Sequence, residues 1–316
     1  MDLAKLLAPR DASFLSIARQ IHREREDLQR IYPDPDGADY LKWLGVHGVL
    51  EYGDRLSRFY PPMPPENLRR TACGGPTELT HLCTSIEDFQ TIADLWEIYA
   101  DVPFEEIRAV YDFGCGCGRM LRWFALALPE ADCVGSDVRK ASIAWCRANL
   151  RGCYFANETQ PPIELTDESI DLVIALSVFS HLRLTSNLAW IRELCRVCRP
   201  DGRIVISTLG AFALAVATRS AEHQSLFAMT ADDARRHLRS LQSERFVFHP
   251  LPADVVHSAD GVEREYGEVF LTEAFVQQRW SPWAEIVGCV PVGLSQIHDV
   301  YVLRPHKAPR AGAEEP

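Results

Sequence analysis

An acidic residue and three alternating glycines lie close together in the segment Asp112-Phe-Gly-Cys-Gly-Cys-Gly118. Gly114, Gly116 and Gly118 carry no side chains, so the backbone can turn tightly there and approach a ligand closely. If a helix begins at this turn, its first N–H groups are also available to the ligand. The segment therefore predicts a loop that binds a cofactor.

The residues on either side of this loop predict the strand and the helix that it would join. Ile107 to Tyr111 is short, mostly apolar and partly β-branched, as is typical of a buried parallel strand. Met120 to Leu128 has the pattern of a helix. A strand, a glycine-rich loop and a helix in this order are typical of nucleotide-binding α/β folds.

The spacing of the glycines distinguishes between nucleotide cofactors. A dinucleotide-binding loop has the pattern G-x-G-x-x-G, whereas this chain has D-x-G-x-G-x-G from Asp112 to Gly118. The segment resembles motif I of the class I S-adenosylmethionine-dependent methyltransferases. A glycine-rich turn in some other α/β protein is the alternative, and the segments downstream argue against it.

A second carboxylate follows one βαβ unit later. Asp137 ends the short predicted strand Ala131 to Asp137, and a carboxylate there can accept both ribose hydroxyls of an adenosine. The resemblance implies that Asp137 binds the ribose, that Val138 lies against the adenine, and that Asn157, after the third strand Cys153 to Ala156, lies near the adenine amino group. The predicted cofactor-binding residues are Asp112, Gly114, Cys115, Gly116, Gly118, Arg119, Asp137, Val138, Asn157 and Ser177. The implied cofactor is S-adenosyl-L-methionine, with S-adenosyl-L-homocysteine as its product.

Later segments continue the order of elements that the resemblance implies. Ser169 to Leu182 is very similar to the fourth-strand segment of bacterial members. A helix over Ser186 to Cys198, a turn over Arg199 to Gly202 and a fifth strand over Arg203 to Ser207 are predicted next. The last two strands, Ala284 to Val290 and His298 to Leu303, are predicted to form a terminal antiparallel hairpin. We therefore expect an α/β, Rossmann-like fold with a seven-stranded sheet.

The expected domain covers residues 107–305, with a substrate-specific insertion at 211–268 and a disordered tail at 306–316. Within the insertion, helices are predicted over Ala211 to Ser220 and Ala231 to Leu241. Another helix is predicted to end near Trp280.

The first 106 residues predict a mainly helical region. An amphipathic helix is indicated by the spacing of Phe14, Ile17, Ile21, Leu28 and Ile31. A second helix is expected within Asp39 to Tyr52, and Pro61 to Pro65 predicts a stiff connector. Thr84 to Glu87 has the pattern of a capping box before the face Phe89, Ile92, Trp96 and Tyr99. We expect a lid or a homodimer surface, with a free-standing interaction module as the alternative.

Composition bounds the partners. The 316 residues are 47 % hydrophobic, which indicates a folded core, and the net charge of −11 disfavours a nucleic-acid backbone as a partner. The chain has neither an apolar run of about 18 residues nor an apolar signal core at its start, so a cytoplasmic enzyme with no membrane partner is expected.

The ten cysteines do not predict a metal site. Cys195 and Cys198 form a C-x-x-C, but they share a helical face with Leu188, Ile191 and Leu194 and are interpreted as core residues. A structural zinc site needs four ligands, and no second paired spacing is found. Cys115 and Cys117 are expected to pack beneath the cofactor.

The reaction that the resemblance implies is attack of an acceptor on the sulfonium methyl group, for which positioning of the acceptor matters most. An alcohol acceptor also benefits from a general base. His181 is the first candidate because it follows the fourth strand, where ligands gather in an open α/β sheet. Further candidates are Tyr266, His257, His249 and His298.

The preferred hypothesis is O-methylation of a small polar acceptor, such as a sugar or a secondary metabolite. N- or C-methylation stays open. So do an enzyme that uses the cofactor for cyclisation or aminocarboxypropyl transfer, and a non-catalytic binding module.

Overall fold

A mixed sheet forms the centre of the molecule. The computed structural model describes residues 12–73, 77–251 and 267–306. Within these residues the sheet has nine strands: β1 Ala109–Phe113, β2 Asp132–Asp137, β3 Cys153–Ala156, β4 Ile170–Ala175, β5 Cys198–Leu209, β6 Phe246–Pro250, β7 Gly267–Leu271, β8 Ala284–Leu294 and β9 His298–Pro305.

The strand order confirms the predicted α/β class and the terminal hairpin. Strands β3, β2, β1, β4 and β5 lie side by side in this order and are parallel. Strand β9 pairs antiparallel with β5, and β8 pairs antiparallel with β9. Because the parallel strands share one direction, their carboxyl ends meet at one edge of the sheet, where ligands bind in open α/β folds.

Two further strands make the predicted number of seven wrong. Strands β6 and β7 form an antiparallel pair, and β7 meets the end of β5 where Leu209 lies opposite Phe270. Each is only five residues long. An apolar pattern of that length does not distinguish a short strand from other structure.

The turn predicted at Arg199 to Gly202 is instead part of β5. Ile170 pairs with Cys198, but Leu172 pairs with Arg203, so the register shifts within this stretch. A Cβ atom on Gly202 would lie 2.5 Å from the Asp171 carbonyl oxygen. The chain therefore absorbs the extra residues as an irregularity in the strand, which glycine permits.

Helices surround the sheet. Those before β1 are α1 Ala12–Glu24, α2 Glu26–Ile31, α3 Ala38–Trp43, α4 Val49–Glu51, α5 Gly53–Leu56, α6 Glu66–Cys73 and α7 Glu78–Tyr99. A π-helical turn, Leu44–Gly48, joins α3 to α4, and 3-10 turns occupy Ser57–Phe59 and Phe104–Glu106. Those after β1 are α8 Leu121–Ala127, α9 Lys140–Asn149, α10 Leu184–Val197, α11 Ala211–Ala217, α12 Ala221–Leu226, α13 Ala231–Glu244 and α14 Glu273–Arg279.

The amphipathic face predicted at the start of the chain is largely confirmed. Phe14, Ile21 and Leu28 are buried, in a small core that also contains Tyr40 and Leu56. Ile31, however, is 64 % exposed, because it lies in the short helix α2, which follows a break at Arg25. After this break, Ile31 therefore does not continue the buried face of α1.

The start of α7 differs from the prediction. Its N-cap is Thr77, whose hydroxyl accepts a hydrogen bond from the Thr80 N–H at 3.1 Å. Thr84 lies inside the helix, and its hydroxyl donates to the Thr80 carbonyl oxygen at 2.9 Å, so the predicted capping box is wrong. Threonine makes this bond to the preceding turn within helices as well as capping bonds at their starts.

The two faces of the sheet carry separate hydrophobic clusters. Along β4, Leu172 and Ile174 belong to one cluster, and Val173 and Ala175 belong to the other, as the two-residue period of a strand requires. Helix α7 packs on the first cluster, where the rings of Phe89 and Phe124 are 4.8 Å apart. Helices α10 and α14 pack on the second.

The second cluster contains both C-x-x-C cysteines. Cys198 is buried in it, and Cys195 is partly buried against it. Both therefore belong to the core, as predicted, but Cys198 is the first residue of β5 and not part of the predicted helical face. No helix of the described ranges is long and apolar enough to cross a membrane.

Candidate cofactor and acceptor site

The loop after β1 has the backbone geometry that only glycine adopts readily. Gly114, Gly116 and Gly118 have φ angles of 78°, 54° and 73°. A Cβ atom on Gly114 would lie 2.3 Å from Val178 Cγ2, and one on Gly118 would lie 2.3 Å from Leu150 Cδ1. The loop is thus pressed against its neighbours, and the predicted need for small residues has a direct cause.

The N–H groups of this loop are used within the protein. Those of Gly114 and Cys115 donate to the Ser136 carbonyl oxygen at 2.8 and 2.9 Å. The Gly116 N–H donates to Asp137 Oδ2 at 2.8 Å, and the Gly118 N–H donates to the Cys115 carbonyl oxygen at 2.9 Å. These four N–H groups therefore already have acceptors within the protein. The loop is hydrogen-bonded to β2. Its backbone is the part that a ligand can approach closely.

Asp112 is a buried carboxylate at the start of the loop. It is 3 % exposed and hydrogen-bonds through its side chain to none of the described residues. Burial raises its pKa to about 7, although Arg119 acts in the opposite direction. Such a group favours a ligand that brings a positive charge.

Asp137 ends β2 beside the loop and is 9 % exposed. Its Oδ2 accepts from the Gly116 N–H and its Oδ1 accepts from the Arg139 N–H, both at 2.8 Å. Burial raises the pKa of Asp137 above its ordinary value, and these two hydrogen bonds oppose part of that rise. Each carboxylate oxygen keeps a further lone pair, so Asp137 can still accept hydroxyl hydrogens.

Asn157 follows β3, next to Asp137. Its N–H donates to the Asp137 carbonyl oxygen at 3.2 Å, and its Nδ2 donates to the Glu158 carbonyl oxygen at 2.8 Å. Its Oδ1 is buried and accepts no hydrogen bond from the described part of the chain. Val138, half-buried, lies directly after β2 on the same edge. This edge therefore offers an unsatisfied acceptor beside an apolar side chain.

Two predicted cofactor residues have other contacts. Arg119 Nη1 forms an ion pair with Asp88 Oδ2 of α7 at 2.5 Å. Cys115 is buried, and a Cβ atom on Gly135 of β2 would lie 2.9 Å from its Sγ, so the thiol packs beneath the loop. Cys115 can therefore meet a cofactor only through its backbone.

A second group of predicted site residues lies in and near the loop after β4. Ser177 has a left-handed φ of 55°, and its N–H donates to Ser207 Oγ of β5 at 2.8 Å. Its hydroxyl shares a hydrogen bond of 3.0 Å with Nε2 of His298, the first residue of β9. Burial, with a smaller contribution from His181, lowers the pKa of His298 to about 4. The structure thus brings together Ser177, His181 and His298.

His181 is held by a strand that the sequence did not predict. Its Nδ1–H donates to the Gly267 carbonyl oxygen of β7 at 3.0 Å. Its side chain is 20 % exposed, and burial lowers its pKa to about 4. Glu268 Oε2 lies 3.7 Å from the same nitrogen. No sequence signal indicated Glu268, because β7 lies 86 residues farther along the chain.

Among the described residues, the candidate His249 makes its side-chain contacts elsewhere. His249 Nδ1 shares a hydrogen bond of 3.1 Å with His237 Nε2, and its Nε2 faces the Ala228 carbonyl oxygen at 3.3 Å. These contacts lie within the insertion. Tyr266 and His257 lie outside the described residues.

The comparisons with known proteins agree with this geometry. Residues 110–202 match the family model described as "Methyltransferase domain". This range begins in β1 and contains the glycine loop, Asp137, Asn157 and His181. This part of the chain is a class I methyltransferase domain. Its cofactor is S-adenosyl-L-methionine.

One relative of the chain is the malonyl-[acyl-carrier protein] O-methyltransferase of Methylococcus capsulatus. It is 28 % identical over 145 residues, which are 45 % of this chain and 49 % of the relative. The chain therefore spans about half the length of this relative.

Among solved structures, the PH0226 protein of Pyrococcus horikoshii is 15 % identical, with a TM-score of 0.49, and the match covers 77 % of this chain and 100 % of that one. The structure of PKMT2 from Rickettsia typhi in complex with AdoHcy is also 15 % identical, with a TM-score of 0.45. That match covers 70 % of this chain and 53 % of the other.

The residues of the methyltransferase domain fit the cofactor. The buried carboxylate of Asp112 suits the ammonium group of the methionine part, and Asp137 suits the ribose hydroxyls. The unsatisfied Oδ1 of Asn157 suits the amino group of adenine, which is a hydrogen-bond donor. Polar groups that would be costly to leave buried alone thus acquire partners.

Proposed function

We propose that the protein transfers a methyl group from S-adenosyl-L-methionine to a hydroxyl group of a small polar acceptor, such as a sugar or a secondary metabolite. The observation that supports this most is the position of His181. Its backbone N–H donates to the Val178 carbonyl oxygen at 2.9 Å, and Val178 is the residue that presses on Gly114 of the cofactor loop. One short turn therefore connects an imidazole to the loop.

The imidazole is prepared to take a proton. Because the Gly267 carbonyl oxygen only accepts hydrogen bonds, Nδ1 carries the hydrogen and Nε2 is the basic nitrogen. The lowered pKa keeps the ring neutral at pH 7. The bound cofactor supplies an electrophilic methyl group. We assign the proton of the acceptor hydroxyl to His181 Nε2, and His298 with Ser177 to the opposite side of the acceptor.

We further propose that residues 1–106 act as a lid or a homodimer surface for the domain at 107–305. The ion pair between Asp88 and Arg119 supports the lid, because it connects α7 directly to the cofactor loop. A cytoplasmic location and the absence of nucleic-acid and membrane partners are expectations from the composition.

Methylation of a carboxyl group is the second candidate. The relative from Methylococcus capsulatus is an O-methyltransferase of a malonyl group, and Arg139 lies close enough to His181 to lower its pKa. A carboxylate acceptor needs no base, and a nearby arginine would attract it. N- or C-methylation, or use of the cofactor without methyl transfer, would take place at the same site.

The test is product analysis with purified protein, S-adenosyl-L-methionine and matched acceptors that carry a hydroxyl, an amine or a carboxyl group. We expect S-adenosylhomocysteine and a methyl ether from the hydroxyl acceptor, with a loss of rate in the His181→Ala variant. Methylthioadenosine as the product would instead indicate cyclisation or aminocarboxypropyl transfer. Turnover of carboxyl acceptors alone, unaffected by His181→Ala, would support the second candidate.

A further inference from the structure

Strand β7 forms hydrogen bonds to the His181 loop through the two residues that flank Glu268. The Val269 N–H donates to the Ser180 carbonyl oxygen at 2.6 Å, and the Gly267 carbonyl oxygen accepts from His181 Nδ1–H at 3.0 Å. Glu268 lies between these two bonds. The backbone of β7 thus fixes Glu268 opposite His181, as in a pair of adjacent strands.

The packing of β7 leaves little freedom for this arrangement. A Cβ atom on Gly267 would lie 2.5 Å from both the His249 carbonyl oxygen and Phe248 Cζ of β6. Gly267 therefore lets β7 fit between β6 and the His181 loop. The carbonyl group that bonds His181 is held in place by this close approach.

The Glu268 side chain is deeply buried and lies close to the His181 ring. It is 5 % exposed, its Oε2 is 3.7 Å from His181 Nδ1, and it makes no hydrogen bond to the described chain. A carboxyl group so deeply buried is costly unless it has a use or a partner. Its position beside Nδ1 of the ring suits a group that acts through His181.

We propose that Glu268 is the positioning residue of His181, and that its carboxylate stabilises the imidazolium formed when the acceptor hydroxyl loses its proton. This inference rests on the proposed function. In the step, the acceptor proton moves to His181 Nε2, and the bond from the acceptor oxygen to the methyl carbon forms. The sulfur–carbon bond breaks, and its electron pair stays on sulfur. Glu268 forms and breaks no bond to the reactants.

The charges around the pair decide its pH dependence. Burial raises the pKa of Glu268 to about 8 and lowers that of His181 to about 4, so both groups are neutral at pH 7. Arg139 and His298 face His181, and His249 lies opposite Glu268 in the β6 register. Above pH 8 the ionised carboxylate lies beside the ring and makes it a stronger base. The turnover rate should therefore rise through an apparent pKa near 8.

Two variants separate charge from shape. Glu268→Gln keeps the shape and removes the ionisation, so it should abolish the rise of the rate near pH 8. Glu268→Ala should lower kcat by about 10–100-fold with little change in cofactor affinity. Glu244→Gln, on the exposed end of α13, is the matched control and should behave like the wild type.

A measurement without an acceptor makes the inference independent of turnover. In nuclear magnetic resonance titrations, the His181 ring of the wild type should show a second step near pH 8, caused by Glu268, and Glu268→Gln should abolish it. Persistence of the step or of the rate increase in Glu268→Gln overturns the proposal. Loss of cofactor binding in both variants also overturns it, because Glu268 would then serve the fold. A wild type that shows the step but transfers no methyl group would refute the proposed function alone.

Discussion

Asp88 of α7 and Arg119 of the cofactor loop form an ion pair, with 2.5 Å between Asp88 Oδ2 and Arg119 Nη1. Their side chains are only 5 % and 12 % exposed. Because water screens such a pair weakly, removal of one partner leaves the other charge poorly solvated. The helix that precedes the methyltransferase domain is thereby joined to the loop for which we propose cofactor binding.

Asp88→Ala should lower the free energy of unfolding by about 3–5 kcal/mol and also weaken cofactor binding. Chemical denaturation and calorimetry measure the two effects. In a double-mutant cycle with Arg119→Met, the loss in the double variant should be smaller than the sum of the single losses. The exposed pair of Glu66 and Arg70 is the control, and Glu66→Ala should change stability little. Equal losses at the two pairs would contradict the role of Asp88.

Asp112→Asn should separate stability from cofactor binding. In the wild type the pKa of Asp112 rises from 3.8 in the unfolded chain to about 7 in the folded protein. The folded state thus holds this proton more tightly, and stability falls as the pH rises through this window. Without the cofactor, Asp112→Asn should be more stable than the wild type at pH 8, by up to about 4 kcal/mol.

The same substitution should weaken binding of S-adenosyl-L-methionine, because the methionine ammonium loses its counter-charge. The affinity of the wild type should rise from pH 6 to pH 8. Asp132→Asn, at the exposed start of β2, should alter neither property. Cofactor affinity that is independent of pH and unchanged in Asp112→Asn would exclude this role for Asp112.

Asp137→Ala should weaken cofactor binding by about 1–3 kcal/mol, the cost of leaving buried hydrogen-bonding groups unpaired. Calorimetry with S-adenosylhomocysteine measures the change. The Gly116 N–H also loses its acceptor, so thermal unfolding should be followed in parallel. Gly116→Val should bind still less cofactor, because a branched side chain is strained at a φ of 54°. Binding of NAD in place of S-adenosylhomocysteine by the wild type would refute the cofactor assignment.

His181→Ala should lower turnover of a hydroxyl acceptor by about 10²–10⁴-fold and change cofactor affinity little. The sequence predicted a pH–rate limb near the ordinary pKa of histidine. Burial places it at about 4 instead, and the limb should be absent in the variant. His249→Ala is the control, since its ring contacts His237 and the Ala228 carbonyl group. A normal rate in His181→Ala would move the base to His298.

The proximity of the two predicted cofactor carboxylates could be anticipated because they belong to strands that are close in sequence. Asp112 and Asp137 lie at the carboxyl ends of two adjacent parallel strands, and such ends meet at one edge of the sheet whatever the loops do. The acceptor side depends on contacts between distant segments. Glu268 reaches His181 only because Val269 bonds to Ser180, and a five-residue strand gives no pattern that indicates this pairing. The lowered pKa of His181 likewise arises from burial that only the assembled fold supplies.

The bond between Val269 and Ser180 also limits how this protein can change its acceptor. Strand β7 closes the insertion after β5, the region in which acceptor selectivity is expected, and the same strand holds the proposed base through Gly267. An altered insertion that displaced β7 would therefore move His181 as well. We therefore expect a new acceptor preference to preserve turnover when the changes leave residues 267–269 in place.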